Sequence, residues 1–265
     1  MRSEGSSYSN AYDKHLSYRS ALLDVGPRFY VRTRYMLSYL PRSPGRAIDI
    51  GCGDGFSLAV YRSKGLQADG IDASREAIEQ CKRRLGDDYP GDIECCYIDE
   101  FQPRLPYDLL LCGEVLEHIE DDEGFLGHIN RIARPNATLV LTVPIDMSLW
   151  SEADANAGHF RRYSKEEIFE KLARNGFQVE EYLVWGWPLT RCLMPHIRKR
   201  QDKMMGAAGG SDAKAERAFM KRFRFALKYV KYLFLLDGLF NFTERGVGIV
   251  IKARKVREAT PDRPS

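Results

Sequence analysis

What the sequence lacks narrows its class before any motif is read. No stretch approaches the run of about 18 apolar residues that crosses a membrane. Its polar N-terminus has no apolar leader, so no signal peptide is expected. Six cysteines, at positions 52, 81, 95, 96, 112 and 192, form no C-x-x-C pair and no secreted-domain spacing, which argues against a zinc ribbon and a disulfide scaffold. A reduced, cytoplasmic compartment is expected. Cys52, Cys95, Cys96 and Cys112 fall in or beside predicted strands, where small residues are buried. There is no internal repeat and no second catalytic signature. The 265 residues, 44% hydrophobic and 29% charged, suit one soluble α/β domain with additions.

One stretch organises the rest, Arg46-Ala47-Ile48-Asp49-Ile50-Gly51-Cys52-Gly53-Asp54-Gly55. A short apolar run reads as a buried strand, then breaks into three glycines at alternate positions, then passes into a helical pattern from Phe56. Glycines so spaced let the backbone turn sharply and let a ligand approach without meeting a Cβ. Strand, glycine turn and helix N-terminus together make a nucleotide-type cradle. Seventeen residues after Gly55, a second strand-like stretch from Leu66 to Ile71 ends in Asp72, a carboxylate able to accept from both hydroxyls of a ribose. A dinucleotide site is disfavoured, because the third glycine of G-x-G-x-x-G is replaced by Phe56.

Asp49, the G-x-G-x-G run and Asp72 together resemble the class I S-adenosylmethionine-dependent methyltransferases, over roughly residues 46–184. The resemblance implies a Rossmann-like fold, with a seven-stranded, mostly parallel sheet flanked by helices and a last strand running antiparallel. It implies S-adenosylmethionine as cofactor and S-adenosylhomocysteine as product. Asp49, Gly51, Cys52, Gly53 and Gly55 would lie against the amino-acid and sugar parts of the cofactor, and Asp72 with Ala73 at the ribose. Asp99 and Glu100 would lie at the adenine, and Cys112 and Glu114 beside the cofactor.

Taken in order, residues 1–45 read as an N-terminal helical cover after a Ser-rich start. Two helices are expected between Ala11 and Leu40, separated near Gly26-Pro27, with Arg32 or Arg34 able to reach the cofactor carboxylate. Residues 46–184 form the core. Its pattern predicts helices at Phe56–Ser63 and Ser74–Leu85 and strands at Ile93–Ile98, Tyr107–Cys112 and Thr138–Val143. A capping box at Ser164 to Glu167 opens a helix that Gly176 stops, followed by a strand at Phe177–Val184. Strands alternating with helices imply a parallel sheet. Residues 243–265 supply a final strand, Val247–Ala253, and a tail.

Residues 185–242 depart from this pattern as a basic helical insertion or lid. Net charge over the whole chain is only +3, yet Arg191 to Tyr232 carries twelve Lys/Arg against three Asp/Glu. Met205 to Ala213 reads as a linker. Beyond it Phe219, Phe223, Phe225, Tyr229, Tyr232, Leu233, Leu236 and Phe240 are interleaved with bases at loosely helical spacing. A lid packed on the sheet is one reading; a segment that meets a lipid-like substrate or the periphery of a membrane is the other, and the charge also suits a phosphorylated substrate or RNA.

Methyl transfer from a sulfonium needs an aligned nucleophile, and a hydroxyl nucleophile also benefits from a base or a metal. Loops after the strands of an open α/β sheet carry such groups. Glu114-Val115-Leu116-Glu117-His118 is read as the start of a helix, on which Glu114, Glu117 and His118 share a face. His159, in the loop after the fifth strand, could join them. These four are candidate ligands for a divalent cation; without one, His118 or His159 is the candidate general base. The E-x-x-E-H run resembles the ubiquinone-pathway O-methyltransferases and the small-RNA 2′-O-methyltransferases. Arg161 and Arg162 could hold an anionic acceptor, and Trp150, Trp185 and Trp187 could line its pocket. The reading is a methyltransferase acting on a hydroxyl of a small, lipid-like or glycan-like molecule. RNA 2′-O-methylation and a non-catalytic cofactor-binding accessory role are its rivals.

Overall fold

A buried strand pattern at Ala47–Ile50 is where the architecture starts. All four residues are buried, flanked by β2 (Ala68–Asp72) on one side and β4 (Tyr107–Gly113) on the other, both parallel to it. In this computed structural model the described residues are 27–193, 195–196 and 232–259. Seven strands form one sheet in the order β3-β2-β1-β4-β5-β7-β6. Here β3 is Ile93–Cys95, β5 Ala133–Pro144, β6 Phe177–Trp185 and β7 Gly248–Lys255. The first five are parallel to their neighbours, while β7 inserts antiparallel between β5 and β6. The expected α/β sheet with an antiparallel last strand is therefore present.

Period-two alternation divides the core between two faces. Ile48, Ile50, Leu110, Cys112, Leu139 and Leu141 point to one side, where α4 (Asp122–Ile132) and α6 (Lys165–Arg174) pack. Ala47, Leu109, Leu111 and Val140 point to the other, beneath α1 (Pro27–Ser38), α2 (Phe56–Ser63) and α3 (Arg75–Leu85). Helix α1 buries Val31 and Met36 on this layer, so the second of the two expected N-terminal helices exists. The first, from Ala11, lies outside the described residues, as do Met205 to Ala213 and Phe219, Phe223, Phe225 and Tyr229.

Helix ends follow the local chemistry. Ser74 caps α3 by accepting from Ala77 N, and Ser164 caps α6 by accepting from Glu167 N. Asn175 follows α6, and Gly176 takes φ 80°, a left-handed value that suits glycine. At Gly55 (φ 74°) an added Cβ would meet Cys81 Sγ at 2.6 Å, so this glycine serves the α2–α3 packing. Cys52 and Cys112 are buried as expected, whereas Cys95 is exposed, because the short β3 edge strand lies at the margin of the sheet.

Three boundaries differ from expectation. β3 ends at Cys95 rather than Ile98, since only Gly70, Ile71 and Asp72 remain to pair with it. β5 begins at Ala133, straight after α4, because Ala133 already pairs with Tyr107. The third is the stretch at Glu114, which is not a helix. Glu114 adopts φ 58°, a single 3₁₀ turn follows at Leu116–His118, and α4 starts only at Asp122 behind an Asp121 cap. Leu110, fully buried in the central strand, tests the core directly. Leu110→Ala should lower stability by about 2–5 kcal/mol in urea unfolding.

Candidate active site

The carboxyl ends of β1, β2 and β4 open into a cavity lined by Gly51, Asp72, Ala73, Asp99, Glu114 and His118, among others. Asp72 closes β2, and its buried carboxylate accepts from Gly53 N and from Ser74 N, each at 2.8 Å. These two bonds fix the glycine turn against the N-terminus of α3. Gly51 takes φ 73°, and an added Cβ there would strike Val115 at 2.4 Å. Asp49, 3% exposed, stands behind the turn. Burial pushes its carboxyl up to about 8, against the pull of Arg32 and with Asp72 adding to the rise.

Not every cofactor candidate reaches this cavity. Cys52, Gly53, Gly55 and Cys112 shape the turn or the core beneath it, and Glu100 is exposed beyond the lining. Cys52 turns toward Cys81 instead. Sequence patterning also missed several lining residues, including Ser74, Tyr97, Ile98, Phe125 and His128. His128 sits on α4, and only its register on that helix could have marked it.

Glu114, Glu117 and His118 do not share a helical face, since their segment turns at Glu114. Its side chain swings toward α1, to 3.5 Å from Arg32 and 4.0 Å from Arg28, and accepts from Thr142 Oγ1 at 3.3 Å. Burial alone would raise its pKa, but the two guanidiniums hold it below the ordinary carboxylate value. Of the two arginines considered on α1, Arg32 faces inward and Arg34 is exposed. Glu117, His118 and His159 nevertheless converge: one ligand atom from each lies within 4.8 Å of the others. The rings of His118 and His159 meet edge to face at 4.5 Å, and His159 Nε2 is 4.0 Å from Glu117 Oε1.

Two buried networks bring this about. Asp122 accepts from Tyr163 Oη (2.8 Å) and Lys171 Nζ (2.8 Å) and pairs with Arg161 (2.7 Å), while the Tyr163 hydroxyl also lies 3.2 Å from the carbonyl of Leu116. Asp154, in the short helix α5 (Glu152–Asn156), pairs with Arg162 at 2.7 Å and stands 3.5 Å from His159 Nδ1. Phe160 N donates to the Glu117 carbonyl at 2.8 Å, which ties the two loops together. Arg161 and Arg162 are thus committed to internal carboxylates, which corrects the expectation that they hold an acceptor. Trp185 is core, Trp187 lies between Arg191 and Arg245, and none of the three tryptophans lines the cavity.

Electrostatically the cluster is dry. Both carboxylate oxygens of Glu117 are buried with no hydrogen-bond partner among the described residues. Burial drives the Glu117 pKa well up, and the charge of Glu114 adds to the rise. Burial pushes His118 and His159 down to about 4. An unfolded chain therefore takes up protons on these rings first as the pH falls from about 6.5. Their contribution to stability is complete above that pH and is lost as the pH drops toward 4. In an NMR titration of the metal-free protein, both rings should remain neutral at about pH 5; midpoints near 6.5 would contradict the burial described.

Comparison with known proteins agrees with this geometry. A family model described as "Methyltransferase domain" matches residues 20–182. The chain is 34% identical over 123 residues to a ubiquinone biosynthesis O-methyltransferase of Rhodopseudomonas palustris (strain HaA2), covering 46% of this chain and 48% of that protein. It is 33% identical over 98 residues to the protein of that name from Bradyrhizobium sp. (strain ORS 278), covering 37% and 39%. The chain thus spans about half the length or less of the curated relatives it matches. Among solved structures, phosphoethanolamine N-methyltransferase 2 of Haemonchus contortus, in complex with S-adenosyl-L-methionine, superposes with a TM-score of 0.57 at 20% identity, covering 86% of this chain and 53% of that one. A putative methyltransferase, in complex with the Haloferax volcanii Trm112 methyltransferase activator, gives 0.60 at 16% identity, covering 97% and 100%. At such identities the structures speak for the fold alone. The family match spans more than half of the chain, on a seven-stranded, mostly parallel sheet, and the chain belongs to the class I S-adenosylmethionine-dependent methyltransferases.

Proposed function

We propose that the protein transfers a methyl group from S-adenosylmethionine to a hydroxyl of a small, lipid-like molecule, with the cluster of Glu117, His118 and His159 acting on the acceptor. The observation that carries this reading is the buried Glu117 carboxylate, without a hydrogen-bond partner and facing two imidazoles at the edge of the cofactor cavity. Burial holds this group toward its protonated form, and even a neutral buried carboxyl without partners is costly unless something arrives to satisfy it. An acceptor hydroxyl is one such partner, because it can donate its proton into the cluster. The ubiquinone-pathway relatives, O-methyltransferases by name, support oxygen as the methyl acceptor.

S-adenosylmethionine, when bound, supplies the electrophilic methyl. The residues lining the cavity suit it: Asp72, held by Gly53 N and Ser74 N, would accept from the ribose, and Asp99, also in the lining, would take the adenine. Arg32, between Asp49 and Glu114, can meet a carboxylate at the amino-acid end. With SAM held there, the protein's task is to orient the hydroxyl and remove its proton. His159, neutral at physiological pH, has one nitrogen 3.5 Å from Asp154, too far and unaligned for a hydrogen bond, and the other 4.0 Å from Glu117. Burial of the cluster keeps competing water away.

The same three groups suit a divalent cation: one carboxylate and two neutral imidazoles, with Glu114 drawn off to Arg28 and Arg32 and so outside the set. Such an ion would lower the acceptor's pKa and neutralise the buried carboxylate.

Three outcomes follow. Replacing Asp72 with Ala should weaken SAM binding by about 1–3 kcal/mol, roughly 5- to 150-fold in Kd by calorimetry; an unchanged Kd would remove its ribose role. His159→Ala should cost about 10²–10⁴ in turnover while SAM affinity holds. Chelation should suppress wild-type turnover and added Mg²⁺ or Zn²⁺ should restore it, and turnover indifferent to chelation would leave His159 as a metal-free base.

A further inference from the structure

The basic, aromatic stretch enters the described residues with one helical turn at 232–234 and then tightens to a periodicity of three. Leu235–Phe240 is a 3₁₀ helix, in which side chains three apart eclipse one another. The same spacing continues past both its ends. Phe234 and Asp237 are wholly buried. Leu233, Leu236, Leu239 and Phe242 form the outward stripe, exposed by 40%, 50%, 71% and 82% in turn. An ordinary surface helix turns its apolar side inward; this one also presents an unbroken row of large apolar side chains to its surroundings.

The row is firmly seated. Asp237 accepts from the backbone N–H of Leu189 and of Thr190, at 2.7 and 2.8 Å, in the segment that follows β6. Tyr232 meets the Tyr30 ring at 6.1 Å, and Asn241 donates to the Tyr35 hydroxyl at 3.0 Å, so the row is joined to α1. That same helix carries Arg28 and Arg32 to Glu114 on the cavity wall. Exposure here is therefore built into the fold, on a segment joined to α1, whose arginines reach Glu114 in the cavity wall.

Charge identifies the occupant. Between Arg217 and Arg245 the sequence has seven Lys/Arg and two Asp/Glu. Both acids are already engaged, Asp237 with the two amides and Glu244 with Lys165 and Tyr182. In the sequence Lys231 immediately precedes Tyr232 and Lys228 stands four residues before it. Arg245, exposed, stands three residues past Phe242. Leucine and phenylalanine at the centre, cations on both flanks and no unengaged acid match the interface of an anionic bilayer, where apolar side chains enter the acyl boundary and cations meet the headgroups.

We infer that the face formed by Leu233, Leu236, Leu239 and Phe242 docks the protein on an anionic lipid surface beside its cofactor cavity. This deepens the lipid-like acceptor proposed above, by naming the surface from which such an acceptor would be taken. The full chain should co-sediment with phosphatidylcholine vesicles containing phosphatidylglycerol but not with phosphatidylcholine alone, and added salt should weaken the association. Leu239→Ser combined with Phe242→Ser should reduce vesicle binding about tenfold or more, at unchanged SAM affinity. Absence of binding to the anionic vesicles, or equal binding by wild type and double variant, would overturn the inference. So would a wild-type dimer in light scattering that the double variant turns into a monomer, which would assign the face to a second copy. The vesicle and light-scattering readouts need neither SAM nor turnover, so their failure is distinct from failure of the methyl-transfer reading.

Discussion

The Asp72 carboxylate holds the site together. One of its oxygens takes the N–H of Gly53 and the other that of Ser74. A charged acceptor bonded to backbone amides is stronger than a neutral one, and here the two amides belong to different turns. The loop after β1 and the start of α3 are thereby locked at one distance, with the cavity between them and the β4 turn. Asp49 stands close enough for its charge to matter, and burial already keeps its carboxyl reluctant to ionise. Two acids under one glycine turn are tolerable because Arg32 approaches from α1.

The same economy of charge shapes the catalytic side. Arg28 and Arg32 attend to Glu114, Lys171 and Arg161 to Asp122, and Arg162 to Asp154. Glu117 has no cation assigned to it among the described residues. Its neighbours are two imidazoles that burial keeps neutral. Paired carboxylates make rigid supports, and the unsupported Glu117 is where a hydroxyl or an ion gains most by arriving. The Asp122 and Asp154 networks hold the loops after β4 and β5 in register, so two distant stretches of sequence meet at Glu117 and His159.

Much of this was legible in the residues. The run from Arg46 to Gly55 announces a buried strand and a glycine turn, and Asp72 ends the next strand where a nucleotide cradle needs an acid. Alternating strands and helices imply the parallel sheet that forms. The turn at Glu114 was hidden, because E-V-L-E-H-I has ordinary helical spacing and nothing local forces φ positive there. Tertiary pull decides it, through two arginines more than eighty residues upstream. Arg161 and Arg162 looked available to an anionic acceptor because their carboxylate partners are separated in sequence or set on a five-residue helix. The period-three stripe from Leu233 to Phe242 was hidden inside a looser helical pattern, since both periods share Leu233 and Leu236.

Labelled methyl transfer from SAM into a lipid-containing cell extract, partitioned between organic solvent and water, tests the central claim most directly. Methyl transfer to a lipid-like hydroxyl requires label in the organic phase with the wild-type protein and its loss with His159→Ala. Label confined to the aqueous phase, or organic label indifferent to His159, would contradict it.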